Sequence, residues 1–215
     1  MKILAADTAL GACSVAVLDG EKILAHRFVL MDRGHAEALA PMADEAMRAA
    51  GIAFSALNRL AVTTGPGTFT GQRVGLAFMR GMRLALKIPL TGITTLETMA
   101  AAAMEDAGTQ FAMALHDAKR GEFYFQMCSR DGALFPPRIG SLEDAMTAAN
   151  AQTIALAGTG AEAFALHAKI KTIVTSIRQP DALWVARLAL RAEPSDEPVR
   201  PLYLRAPDAK LPANA

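Results

Sequence analysis

The chain has 215 residues, 52% of them hydrophobic and 20% charged, which suffices for one large domain or two small ones sharing a core. Lys and Arg total 22 against 21 Asp and Glu, a net charge of +1, so no general electrostatic attraction to nucleic acid or an anionic membrane is expected. No apolar run reaches the roughly 20 residues of a membrane span. Asp7 comes too soon for a secretion signal. Cys13 and Cys128 stand outside any C-x-x-C pattern and read as buried free thiols in a reducing, cytoplasmic compartment.

Short apolar runs at 2–6, 14–18 and 22–30 are separated by the turn chemistry of Leu10-Gly11 and Asp19-Gly20-Glu21, which predicts three antiparallel strands in a meander. From 34 to 51 the period becomes helical, with Leu39, Met42, Ala43, Ala46 and Ala50 on one face. Pro41 marks either the start of this helix or a kink in it. Residues 60–64 form a strand that leads into Gly65-Pro66-Gly67-Thr68-Phe69-Thr70-Gly71. A second helix over 68–87 turns Val74, Phe78, Met82, Ala85 and Leu86 one way and Arg73, Arg80, Arg83 and Lys87 the other. Pro89 ends it, 90–93 is a strand and 94–104 a short helix. The order is βββαβαβα.

A weaker copy of that order follows. Strands at 111–116 and 122–128 flank the turn at 117–121, and Ser141 with Asp144 caps a helix over 141–150. A strand at 153–157, a helix at 161–168 and an amphipathic helix at 181–192 around Trp184 complete it. From Glu193 the tail carries Pro194, Pro198, Pro201, Pro207 and Pro212. It is expected to run extended, with Pro201-Leu202-Tyr203-Leu204 packing back on the body. The duplication predicts an α/β protein of two lobes, 1–106 and 107–215, with a cleft between them.

Two stretches are candidates for chemistry. In the glycine-rich loop, Gly65, Gly67 and Thr68 at a helix start could cradle an anion, but the spacing fails the phosphate-loop pattern because Thr70 stands where a Gly is needed. Gly71 and Gly75, four apart on the apolar face of the second helix, fit close packing of another helix instead. Asp7-Thr8 at the first hairpin suits a magnesium–phosphate site, and equally a turn closed by an Asx-type hydrogen bond. His26, His35, His116 and His167 are scattered without metal spacing, and no G-x-S-x-G elbow exists. His35 opens the first helix, where capping or a partner contact is expected.

The segments Ile3-Leu4-Ala5-Ala6-Asp7-Thr8, Gly34-His35-Ala36, Gly65-Pro66-Gly67-Thr68-Phe69-Thr70-Gly71-Gln72-Arg73-Val74-Gly75 and Pro89-Leu90-Thr91-Gly92-Ile93-Thr94-Thr95-Leu96-Glu97 resemble the TsaB family. Asp117-Ala118-Lys119-Arg120-Gly121-Glu122-Phe123-Tyr124 and Pro201-Leu202-Tyr203-Leu204-Arg205 are similar to its later motifs. TsaB proteins are bacterial accessory subunits of the machinery that makes threonylcarbamoyladenosine beside the anticodon of tRNA. The resemblance implies the duplicated actin/Hsp70/sugar-kinase-like (ribonuclease H-like) fold and a non-catalytic scaffold that pairs with the catalytic relative TsaD, with the ATPase TsaE joining. It places a partner interface on the first two helices, at His35, Leu39, Met42, Gly71, Val74, Gly75 and Phe78. A homodimer through the same helices is the alternative pairing, and tRNA is met only indirectly. TsaD holds a metal through two histidines whose matching positions here are Thr95 and Met99, so no metal and no catalytic residue are expected. ATP or ADP with magnesium at or near the interface, through Asp7, Thr8, Gly65, Gly67 and Thr68, is the candidate cofactor. Lys119 and Arg120 stand in the second hairpin where nucleotide-binding members have small residues, and Gly158-Thr159-Gly160 reads as a remnant adenosine loop. An actin-like ATPase acting through Asp7, or a peptidase, is the rival reading.

Overall fold

The chain is described by a computed structural model covering residues 1–150, 153–193 and 197–205. Pro194, Pro207 and Pro212 of the tail lie outside the described residues. The first half opens with β1 (Lys2–Asp7), β2 (Ala12–Asp19) and β3 (Lys22–Leu30), an antiparallel meander. Then come α1 (His35–Ala50), β4 (Arg59–Thr63), α2 (Phe69–Leu86), β5 (Leu90–Ile93) and α3 (Thr95–Ala107). The sheet order is β3-β2-β1-β4-β5, with β4 parallel to both β1 and β5.

The second half contains β6 (Phe111–Asp117), β7 (Phe123–Ser129), β8 (Gly132–Ala133), β9 (Arg138–Gly140), α4 (Leu142–Ala148), β10 (Thr153–Ala157), α5 (Ala161–His167), β11 (Lys171–Val174) and α6 (Ala182–Arg191). Its sheet runs β11-β10-β6-β7, with β9 and the two-residue β8 both antiparallel on the far side of β7. Strand for strand this repeats the first sheet, β9 standing for β3 and β11 for β5. The copy is complete, and the fold is the duplicated two-lobed architecture.

Local chemistry explains the boundaries. Gly34 and Gly51 bracket α1 at φ 92 and 68, in the left-handed region that favours glycine. The helix runs through Pro41 without starting there. Burial of Leu39, Ala43, Ala46 and Met47 on the sheet offsets the one hydrogen bond that proline removes. Thr68 and Thr94 cap α2 and α3 through Gly71 and Glu97 backbone N–H groups, and Ser141 forms a capping box with Asp144.

Four apolar layers fill the molecule. Helices α1 and α2 cover one face of the first sheet, around Leu39, Met47, Leu76 and Met79, and α4 and α5 cover one face of the second. The last helix of each half crosses over. Leu96, Met99 and Ala103 of α3 pack on Ala112, Ala114 and Ala155 of the second sheet. Ala182, Val185 and Ala186 of α6 pack on Ile3, Ala5 and Ala16 of the first. The duplicated element order alone keeps α6 with the second lobe. Its small apolar face is instead buried on the first, where Arg59 closes its end by donating to the carbonyls of Ala189 and Ala192. The tail does pack back. Leu202 N–H donates to the Thr64 carbonyl at 2.7 Å, Arg73 Nε donates to Tyr203 Oη at 2.9 Å, and Phe69 stacks on Tyr203 with ring centroids 6.0 Å apart.

Candidate functional site

Strand β1 ends at Asp7, beside Thr63 at the end of β4. Thr63 Oγ1 donates to Asp7 Oδ1 at 2.5 Å, and the Ala9 N–H donates to the same oxygen at 3.2 Å, closing the hairpin as an Asx-type turn. Asp7 is fully buried, and among the described residues its Oδ2 has no partner. Burial pushes its carboxyl from the ordinary 3.8 up to about 7, against the opposing pull of the Thr63 and Ala9 hydrogen bonds. A magnesium–phosphate site needs an ionised carboxylate open to the ligand. Asp7 is sealed.

The seal is the glycine-rich loop. Thr68 N–H donates to the Ala9 carbonyl at 2.8 Å, and a Cβ at Gly67 would collide with that carbonyl. Thr8 Oγ1 donates to the Gly71 carbonyl at 2.7 Å, and a Cβ at Gly71 would collide with the Thr8 carbonyl. At Gly75 a Cβ would stand 2.7 Å from Thr8 Oγ1. Gly65, at φ 108, lies under the Gln72 amide and accepts from Thr95 N–H at 2.9 Å. The loop therefore holds the first hairpin, with its glycines spent on close approach inside the chain.

Beyond that contact a cavity of about 300 Å³ opens between the lobes, with Leu10, Gly67 and Thr68 on one wall and His116, Asp117, Lys119 and Thr159 on the other. Burial lowers the His116 imidazole to about 4, so it is neutral at pH 7, and its Nδ1 has no partner among the described residues. Lys119 turns back on Asp117, Nζ to Oδ2 at 2.9 Å. Thr159 Oγ1 accepts from Asp117 N–H at 2.8 Å, and a Cβ at Gly158 would collide with the Leu115 carbonyl. The segment read as a remnant adenosine loop is thus occupied in bracing the second hairpin.

The residues expected at a partner interface are largely engaged within the chain. Leu39 is 1% exposed, Gly71 and Gly75 are buried against Thr8, and His35 Nε2 engages the Leu10 carbonyl at 3.0 Å. Met42, Val74 and Phe78 are half-buried and pack on the core beneath α1 and α2. The apolar stripe of these helices is used on their own sheet, the usual fate of such a stripe in a layered α/β fold. Beside the larger exposed Glu37, Glu45, Arg48, Phe69, Arg73 and Arg80, α1 and α2 leave a set of small residues outward. Ala36, Ala40 and Pro41 of α1 and Ala77, Gly81 and Leu84 of α2 are exposed, Leu84 at 79%. A Cβ at Gly81 would meet nothing within 4 Å. Sequence reasoning passed over this face because alanine and glycine carry little hydrophobic signal. Thr95 and Met99 are both buried, and among the described residues no group of three or more His, Cys, Asp or Glu could hold a metal ion.

Two matching halves, each with a five-stranded path of the same order and a cleft between them, define a two-lobed protein of the actin-like class. The profile of TsaD, tRNA N6-adenosine threonylcarbamoyltransferase, matches residues 29–132. The tRNA threonylcarbamoyladenosine biosynthesis protein TsaB of Haemophilus influenzae is 31% identical over 223 residues, covering 95% of this chain and 94% of that protein. The Escherichia coli TsaB is 39% identical over 131 residues, a match spanning 61% of this chain and 56% of the relative's length. Among solved structures, YeaZ from Pseudomonas aeruginosa superposes with a TM-score of 0.84 at 27% identity, covering 94% of this chain and 99% of that one. The chain belongs to the TsaB family.

Proposed function

We propose that this chain is a non-catalytic scaffold in the synthesis of threonylcarbamoyladenosine on tRNA, and that it presents the outer faces of α1 and α2 to a TsaD-like catalytic subunit. The observation that carries the reading is the small, exposed face of Ala36, Ala40, Ala77, Gly81 and Leu84 on two helices already packed together. Small side chains let two helix pairs approach closely, and Leu84 supplies an anchor for a facing pocket. The names of the TsaB relatives supply the pathway, and the stretch similar to TsaD contains both helices. A TsaE-like ATPase joins the assembly, tRNA is met through the partner, and a self-pair would compete for the same face. The work takes place in the cytoplasm.

The rivals fit the geometry less well. An ATPase acting through Asp7 would need the hairpin and the glycine-rich loop to part before magnesium could reach the carboxylate. A peptidase would need a metal cluster, which the described residues do not contain, or an activated nucleophile. The experiment is a reconstitution with omission: threonylcarbamoyl transfer to tRNA by TsaD, TsaE and the activated threonyl donor, with and without this chain. Transfer that requires the chain, from a chain inert alone, supports the scaffold. Transfer that proceeds equally without it removes the proposal.

A further inference from the structure

Because α3 and α6 each cross to the opposite sheet, they pass one another, and a cavity of about 260 Å³ lies between them at the Cys128–Arg130 end of β7. It is distinct from the interlobe cleft, which sits at the Tyr124 end of the same strand. Its walls carry charges that do not meet. Glu97, in the first turn of α3, is half-buried, yet no hydrogen bond or ion pair to its carboxylate occurs among the described residues. Arg187 of α6 lies along the Trp184 ring, 4.6 Å from its centroid, and takes no carboxylate partner among the described residues. Of the other charges on the wall, Glu105 and Arg130 are already joined at 3.5 Å, and Glu21 and Arg191 also line the cavity.

We propose that this cavity binds a small zwitterion of amino-acid size, its ammonium group on Glu97 and its carboxylate on Arg187. A half-buried carboxylate without a counter-charge is poorly solvated, and a ligand cation supplies the missing charge. Arg187, with its guanidinium carbon over the indole, offers the planar fork of donors suited to a carboxylate. Ala101, Met104 and Leu188 supply apolar wall for a short aliphatic side chain. A volume of about 260 Å³ accommodates a ligand of amino-acid size. Burial raises the Glu97 carboxyl above its ordinary 4.5, the behaviour of an acid that lacks its counter-charge. The site goes beyond the scaffold role and does not depend on it.

The chain carries one tryptophan, Trp184, on the cavity wall, so its fluorescence reports occupancy. The full chain would be titrated with free alanine, valine and leucine, with the amide of each (no carboxylate) and with the N-acetyl form of each (no ammonium). The expected result is a saturable change for at least one free amino acid, with Kd on the order of 1 mM or tighter, and about tenfold weaker binding or none for its amide and N-acetyl forms. Glu97→Gln and Arg187→Gln should each weaken binding about tenfold, while Glu97→Gln melts no lower than the parent chain. No saturable change up to about 10 mM for any free amino acid, or equal binding by the blocked forms, overturns the proposal. The ligand series uses the unaltered chain, so it decides the matter even if a variant fails to fold.

Discussion

The Thr8 hydroxyl donates to the Gly71 carbonyl, and Gly71 lacks a Cβ at the place where one would strike the Thr8 carbonyl. This reciprocal fit locks the start of α2 onto the first hairpin. It predicts that Gly71→Ala and Gly75→Leu destabilise the isolated chain, by about 3 kcal/mol or more, because backbone and a buried hydroxyl must move. Gly81→Ala, on the open face of the same helix, should be neutral or stabilising by up to about 1 kcal/mol. Denaturant melts of the three variants check this. Equal stability of Gly71→Ala and Gly81→Ala would refute the packing.

Asp7 makes stability depend on pH. Its carboxyl titrates near 3.8 in the unfolded chain and near 7 in the folded one, so the folded state holds the extra proton between those values. The contribution is fully present below about pH 4 and is lost as pH rises to about 7, a change on the order of a few kcal/mol. Asp7→Asn carries no such proton, so its stability relative to the parent should climb between pH 5 and pH 8. Parallel melting curves for the two chains across that range would be inconsistent with a buried, protonated Asp7.

The C-terminal strap ties α2 to the second hairpin. Arg205 Nη1 donates to the Ala118 carbonyl at 2.6 Å and its other terminal nitrogen pairs with Glu122, while Tyr203 is fixed by Phe69 and Arg73. Tyr203→Ala should cost about 1–2 kcal/mol. Arg205→Ala should instead raise amide exchange in the 118–122 turn with a smaller loss of global stability, since its ion pair is partly solvated. Unchanged exchange in that turn would mean the strap is not holding it.

Much of this architecture is legible from the residues, and the gaps have physical causes. The first meander and β10 follow from short apolar runs bounded by turn residues, and α2 from its cap and helical period. Strands β9 and β11 do not, since Arg138–Gly140 is only three residues and Lys171–Val174 lies largely exposed at a sheet edge with no core-facing pattern. An amphipathic stripe says that α6 buries a face, without saying against which sheet. The same ambiguity attends the expected partner residues. Val74 and Phe78 are apolar because they pack on their own lobe, and no sequence pattern separates that use from docking. Glu97 reads as one acidic residue in a helix start until the fold brings Arg187 to the same cavity.

The outward face of α1 and α2 is the central claim, and one binding measurement tests it most directly. Gly81→Arg places a large charged side chain in open space, so the monomer should fold and melt like the parent. Association of each chain with a purified TsaD-like subunit would be measured by calorimetry, with self-association followed by sedimentation. The account predicts that Gly81→Arg weakens association at least a hundredfold, roughly 2.7 kcal/mol, at unchanged monomer stability. Association of parental strength by Gly81→Arg would contradict it and move the partner surface elsewhere on the molecule.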